Sequence, residues 1–190
     1  MSRTRPTLTL VGVFVVVFLL EVLGSAVGFG PAAFALSLPL TRRPWTLVTS
    51  VYAHAGVWHL LANSVALLVV GLVLERRTSA IRFYLFFLVT GMLAGVAQVT
   101  VAAALGHHVA VLGSSGGIFA LLGYLLAGNR VTDVAVAGIE PDPRIAAAVV
   151  VAVAVLVTLL TAGSGVALFA HFTGLVLGLV AGRGHVLRTR

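Results

Sequence analysis

The chain has 190 residues, 60% of them hydrophobic and 9% charged, with a mean hydropathy of +1.15, whereas a soluble domain carries roughly 25% charged residues; a soluble globular enzyme is excluded. A spanning helix takes about 20 residues, so this length holds six or seven spans and no second, soluble domain. The net charge of +7 comes from Arg residues scattered between apolar runs, a pattern of topology signals rather than a nucleic-acid face, and the absence of Cys and Lys removes disulfides, thiolate sites, Ser-Lys dyads and Schiff bases.

Apolar runs at about 7–27, 56–74, 80–104, 113–128, 145–162 and 165–182 predict six spans. The expected fold class is all-α: a polytopic bundle of six transmembrane helices, forming a single domain over 1–190. The first run follows Arg3 and Arg5 as a signal peptide would, but it exceeds a typical h-region of about 7–15 residues and reads as a retained first helix. The segment from Gly28 to Ala55 contains Pro31, Pro39 and Pro44, which break any long helix. Its apolar residues Ala32, Phe34, Leu36, Leu38 and Leu40 predict a loop half-sunk against the helices, with Trp45 and Trp58 at the interface.

Cytoplasmic loops keep positive charge. With the N-terminus inside, Arg3, Arg5, Arg76, Arg77, Arg82, Arg130, Arg144, Arg183, Arg188 and Arg190 fall inside, and only Arg42 and Arg43 fall outside. The expectation is a multi-pass protein of the inner (plasma) membrane with both termini cytoplasmic and 128–144 as a linker. There is no internal repeat, which deprives an inverted-repeat transporter of its main pointer.

Ionisable and hydrogen-bonding residues at membrane depth are costly, so each is a functional suspect. They are Glu21, His54, His59, Asn63, Glu75, Gln98, Ser115 and His171. His59 and Asn63 have the i, i+4 spacing of a zinc protease motif, but Leu60 stands where its Glu would be and Asn63 replaces the second His, so no metal site is expected. Asp133 and Asp142 both lie in the linker, which excludes an intramembrane aspartyl dyad. A hydroxyl nucleophile with an imidazole base remains.

Gly113-Ser114-Ser115-Gly116 opens the fourth span. Gly113 and Gly116 would let a substrate backbone come close, and the free N–H groups of the first helical turn would stabilise an oxyanion. The same tetrapeptide also reads as an N-cap serine in a glycine turn. His171, followed by Gly174 and Gly178 on one helical face, is the candidate base, or else a buried histidine bonded to a carbonyl. Gly174 and Gly178 form a small-residue seam, matched on the fourth span by Gly116, Ala120, Gly123 and Ala127. His59 and Asn63, one turn apart with His54 five residues before His59, have the layout of two oxyanion donors, and equally of an interhelical polar clamp.

Together these residues resemble the rhomboid intramembrane serine proteases. The resemblance rests on Gly113-Ser114-Ser115-Gly116 followed by Ile118-Phe119-Ala120-Leu121-Leu122-Gly123-Tyr124, on His59-x-x-x-Asn63 with His54, and on Ala170-His171-x-x-Gly174-x-x-x-Gly178. It implies a six-helix bundle with a water-filled cavity open to the outside, in which Ser115 attacks the peptide and His171 is its base. His59 and Asn63 would join the Ser115 amide as oxyanion donors, with His54 and Phe119 in support and no cofactor. Ser115 is expected at the outer mouth of the fourth span, a few ångströms below the interface. The implied partners are transmembrane protein substrates and the lipid bilayer, with no nucleic acid. Glu21 reads as a polar contact of the first span and Glu75, beside Arg76 and Arg77, as a structural ion pair. The sequence departs from the family pattern where Thr46 follows Trp45 in place of Arg and where Phe119 stands in place of a common Tyr. The chain is expected to be a minimal six-span form. The alternative reading is a catalytically silent rhomboid-like protein that binds or escorts membrane clients.

Overall fold

The computed structural model describes residues 5–127, 144–145, 148, 152 and 167–188. Over these residues the chain folds into α1 (Pro6–Ala26), a single turn α2 (Thr46–Thr49), α3 (Val57–Leu74), α4 (Ala80–Ala104), α5 (Ser115–Ala127) and α6 (Leu168–Arg183). No strand occurs among the described residues; one antiparallel bridge joins Leu36 and Val111. The helices α1, α3 and α4 are long and apolar enough to cross a membrane, and they follow the first three apolar runs closely. The shorter apolar helices α5 and α6 correspond to the fourth and sixth runs. The linker 128–144 and the fifth run, 145–162, lie outside the described residues apart from isolated positions.

Each long helix starts where its sequence allows. Pro6 opens α1, where its missing N–H removes no helical bond. The next donor, the Thr7 N–H, goes to the Glu75 carboxylate at 3.0 Å. Glu75, which the sequence reads as a structural ion pair beside Arg76 and Arg77, also caps α1. First-turn N–H groups have no intrahelical partner, and a carboxylate supplies both an acceptor and a charge that suits the helix dipole. Ser79 caps α4, its Oγ accepting the Arg82 N–H at 3.4 Å.

Apolar side chains face both ways, as a membrane bundle requires. Phe14, Phe83, Phe87, Leu67 and Leu121 are fully buried at the centre, while Val16, Leu19, Leu20 and Leu23 of α1 and Val65, Val69 and Val73 of α3 are exposed on the outer surface. Association of such helices rests on close packing rather than on hydrophobic burial. The closest seam lies between α5 and α6. A Cβ on Gly174 would collide with the Gly116 carbonyl oxygen, one on Gly178 with the Ala120 carbonyl oxygen, and one on Gly123 with the Leu175 carbonyl oxygen. From 116/174 to 120/178 the contacts advance together along both helices, so α5 and α6 run parallel.

The segment between α1 and α3 folds back on the bundle. Leu36 exchanges two backbone hydrogen bonds with Val111, at 2.8 and 2.9 Å, and is fully buried. The Arg43 guanidinium donates to the Ala32 carbonyl, and Trp45 Nε1 donates to the Ala33 carbonyl at 3.2 Å. Arg43, two residues before Trp45, thus supplies a guanidinium to this loop although Thr46 follows the tryptophan. Trp45 and Trp58 are exposed, as interfacial anchors are.

Candidate active site

Ser115 is the first residue of α5, and what precedes it sets its position. Gly113 has φ 125°, a conformation strained for any residue with a side chain. Its N–H donates to the Ser50 carbonyl at 2.8 Å. A Cβ there would lie 2.7 Å from His59 Cε1, 2.8 Å from His59 Nε2 and 3.9 Å from Asn63 Nδ2. The room that the missing side chain leaves at Gly113 is taken by the His59 ring. At Gly116, a buried residue, it is filled by α4 and α6: a Cβ on Gly116 would lie 2.6 Å from Ala94 Cβ and 3.9 Å from the Ala170 carbonyl oxygen. Both glycines act by admitting protein neighbours.

The level of Ser115 follows from the same contacts. Gly116 packs beside Ala94, ten residues before the end of α4 at Ala104. At about 1.5 Å per residue, the start of α5 lies about 15 Å along α4 from its end. α4 runs on well past the first turn of α5.

His171 sits near the start of α6, buried, with its imidazole stacked on Phe119 at a centroid separation of 4.1 Å and an interplanar angle of 17°. Phe119 is one turn beyond Ser115 on α5, so the seam glycines bring this ring to the Ser115 end of α5. His171 Nδ1 has no hydrogen-bond partner among the described residues. From the other side, α3 brings His59 and Asn63, whose Nδ2 donates to the His59 carbonyl at 3.1 Å. An imidazole from α3 thus lies beside Gly113, just before α5, and one from α6 lies against Phe119, one turn into it.

The hydrogen-bonded Ser-His pair among the described residues is a different one: His54 Nε2 lies 3.3 Å from Ser114 Oγ. Ser114 is 0% and His54 1% exposed. Burial, with the nearby His59 charge, holds the His54 imidazole down at about 4, so it is neutral near pH 7 and acts as a hydrogen-bonding group. The His54 ring also meets Phe14 of α1 at 5.1 Å and the edge of His59 at 5.2 Å. Its backbone N–H donates to Glu21 Oε2 at 2.9 Å. Sequence reasoning singled out both Glu21 and His54 but not their link, for which the only signal was that each is polar in apolar surroundings.

What emerges is a membrane-embedded helical bundle in which imidazoles from two other helices come close to the start of the helix that Ser115 opens. The rhomboid domain family model matches residues 41–187, and the chain belongs to the rhomboid family, whose members are generally intramembrane serine proteases. Similar proteins include Rhomboid-related protein 3 of Homo sapiens, 40% identical over 88 residues that make up 46% of this chain and 21% of the human protein. Rhomboid protease GluP of Bacillus subtilis is 35% identical over 115 residues, 57% of this chain and 21% of that protein. RHOMBOID-like protein 1 of Arabidopsis thaliana is 32% identical over 84 residues, 44% of this chain and 20% of that protein. The chain thus spans about a fifth of the length of each of these relatives.

Proposed function

We propose that the chain is a serine endopeptidase that hydrolyses peptide bonds of transmembrane substrate helices near their external ends, with Ser115 as nucleophile and His171 as base. The observation that carries this reading is the bracket around Ser115: His59 and Asn63 come up to Gly113, two residues before it, and His171 stacks on Phe119, one turn after it. Ser115 Oγ attacks the scissile carbonyl carbon as its proton passes to the neutral His171 imidazole. The carbonyl oxygen takes the electron pair and is held by the Ser115 N–H, His59 and Asn63 at the positive end of the α5 dipole. The tetrahedral intermediate collapses, the C–N bond breaks, and His171 returns the proton to the leaving amine. Water then opens the acyl-enzyme by the same route. The Phe119 ring holds His171 by stacking, without the hydroxyl of a tyrosine.

A substrate helix protects its peptide bonds within its own hydrogen bonds, so it must unwind locally to reach Ser115. Weak helix formers such as Gly and Pro near the cut lower that barrier. The whole chain is taken as one six-span unit with both termini cytoplasmic, an orientation supported by the Arg distribution.

The hydrogen bond between His54 and Ser114 favours a second reading, in which Ser114 is the nucleophile. Complete burial of Ser114 argues against it, since a peptide bond must reach the attacking oxygen. A fluorophosphonate probe separates the readings. Ser115→Ala is expected to lose covalent labelling and cleavage while remaining folded, whereas Ser114→Ala still becomes labelled at Ser115. Labelling that survives Ser115→Ala and disappears in Ser114→Ala overturns the assignment. No labelling of the folded wild type favours a silent client-binding protein.

A further inference from the structure

Glu21 is a carboxyl group inside a membrane-spanning helix, 2% exposed, between Leu20 and Val22, which are both exposed on the outer surface. Such a group is expensive at that depth and is retained where it does something. One oxygen, Oε2, accepts the backbone N–H of His54 at 2.9 Å; the other, Oε1, has no partner among the described residues. His54 lies between α2 and α3, where no helical carbonyl is available to its N–H. Its ring then reaches two parts of the site: Ser114 Oγ at 3.3 Å and the edge of His59 at 5.2 Å. Ser114 is the residue whose carbonyl accepts the first hydrogen bond of α5, from Ile118 at 3.1 Å. Where the Ser114 peptide sits, the Ser115 N–H and the start of α5 sit with it.

We propose that Glu21 is a positioning residue for the reaction: from α1 it holds the His54 peptide, and through the His54 ring it sets the Ser114 peptide and the His59 imidazole on either side of the oxyanion site. The proposal rests on the reading of Ser115 as nucleophile. α1 is then part of the catalytic apparatus through one hydrogen bond, and Phe14 of the same helix, fully buried against the His54 ring, braces the link from the side. The role needs an acceptor at one point and no charge, so the amide oxygen of a glutamine meets it, whereas aspartate, one methylene shorter, falls short of the His54 N–H.

The test uses the full-length protein in detergent micelles, with fluorophosphonate labelling rates and the kcat and KM for a transmembrane substrate. Glu21→Leu and Glu21→Asp are expected to lower kcat and the labelling rate at least tenfold with KM within about twofold, because the oxyanion donors act mainly in the transition state. Glu21→Gln is expected to restore the rate to within about threefold of wild type. The effect must also run through His54: Glu21→Leu combined with His54→Ala should be no slower than His54→Ala alone, a non-additivity that two independent structural lesions would not give. Wild-type rates in Glu21→Asp, loss in Glu21→Gln equal to that in Glu21→Asp, or full additivity in the double variant overturns the proposal. If Glu21→Leu fails to fold, the Gln and Asp variants still decide it. Failure of the nucleophile assignment is seen separately, as wild-type labelling that does not depend on Ser115.

Discussion

Gly178→Ala tests whether the seam between α5 and α6 sets the geometry of the site. A Cβ there would collide with the Ala120 carbonyl oxygen and lie 2.8 Å from its carbonyl carbon and 2.9 Å from its Cα. Ordinary contact begins at 3.4 Å and the carbonyl oxygen lies nearer than either carbon, so the helices must part by more than 0.6 Å at this point. The obstacle is backbone inside a helix and has no rotamer to give way. Overpacking of this kind costs about 1–3 kcal/mol, against which the better helix propensity of Ala returns at most about 1 kcal/mol. Gly12→Ala on α1 supplies the control, since a Cβ there meets nothing within 4 Å. Gly12→Ala gains the same propensity, so the expected result is that Gly178→Ala is less stable than Gly12→Ala by about 1–3 kcal/mol, measured by thermal or denaturant unfolding in detergent. Because His171 rides on α6 two turns away, the same displacement moves the base relative to Ser115, and a misplacement of about 1 Å costs about 10²-fold. Fluorophosphonate labelling of the folded fraction should fall by tenfold or more. If Gly178→Ala unfolds and labels like Gly12→Ala, the seam does not set the site and the reasoning fails.

Asn63→Ala and His59→Ala should each lower kcat by about 10²–10³ with little change in KM, as expected for oxyanion donors; an unchanged kcat per folded molecule with a lower melting temperature would make them a structural clamp. Glu75→Leu should destabilise the protein by about 1–3 kcal/mol, because the part-buried Thr7 N–H loses its acceptor. Glu75→Gln, which keeps an acceptor oxygen, should recover most of that loss, and equal unfolding of the two variants would refute the capping role.

The membrane elements were legible because hydropathy is a local property. The run at 80–104 coincides with α4 and the run at 56–74 differs from α3 by one residue, since a span must satisfy its backbone internally and stay apolar over its length. The identities of Ser115, His171, His59 and Asn63 as candidates were legible for a related reason: few polar residues occur in such a chain, and each has a cost to justify.

Contacts between segments distant in sequence were not legible. Nothing local distinguishes Ser114 from Ser115; the turn at Gly113 and the packing of α5 against α4 and α6 bury the first and leave the second partly accessible. Arg76 and Arg77 beside Glu75 read locally as an ion pair, and nothing local shows that α1 also brings the Thr7 N–H to the same carboxylate. Nor does anything local show that α4 and α6 pack against Gly116. The sequence by itself determined an all-helical membrane protein of the rhomboid type and the short set of groups available for chemistry. Tertiary structure alone decided which serine is buried, how far along α4 the start of α5 lies, and that Glu21 of α1 meets His54, because these depend on helix phase and depth, which hydropathy does not encode.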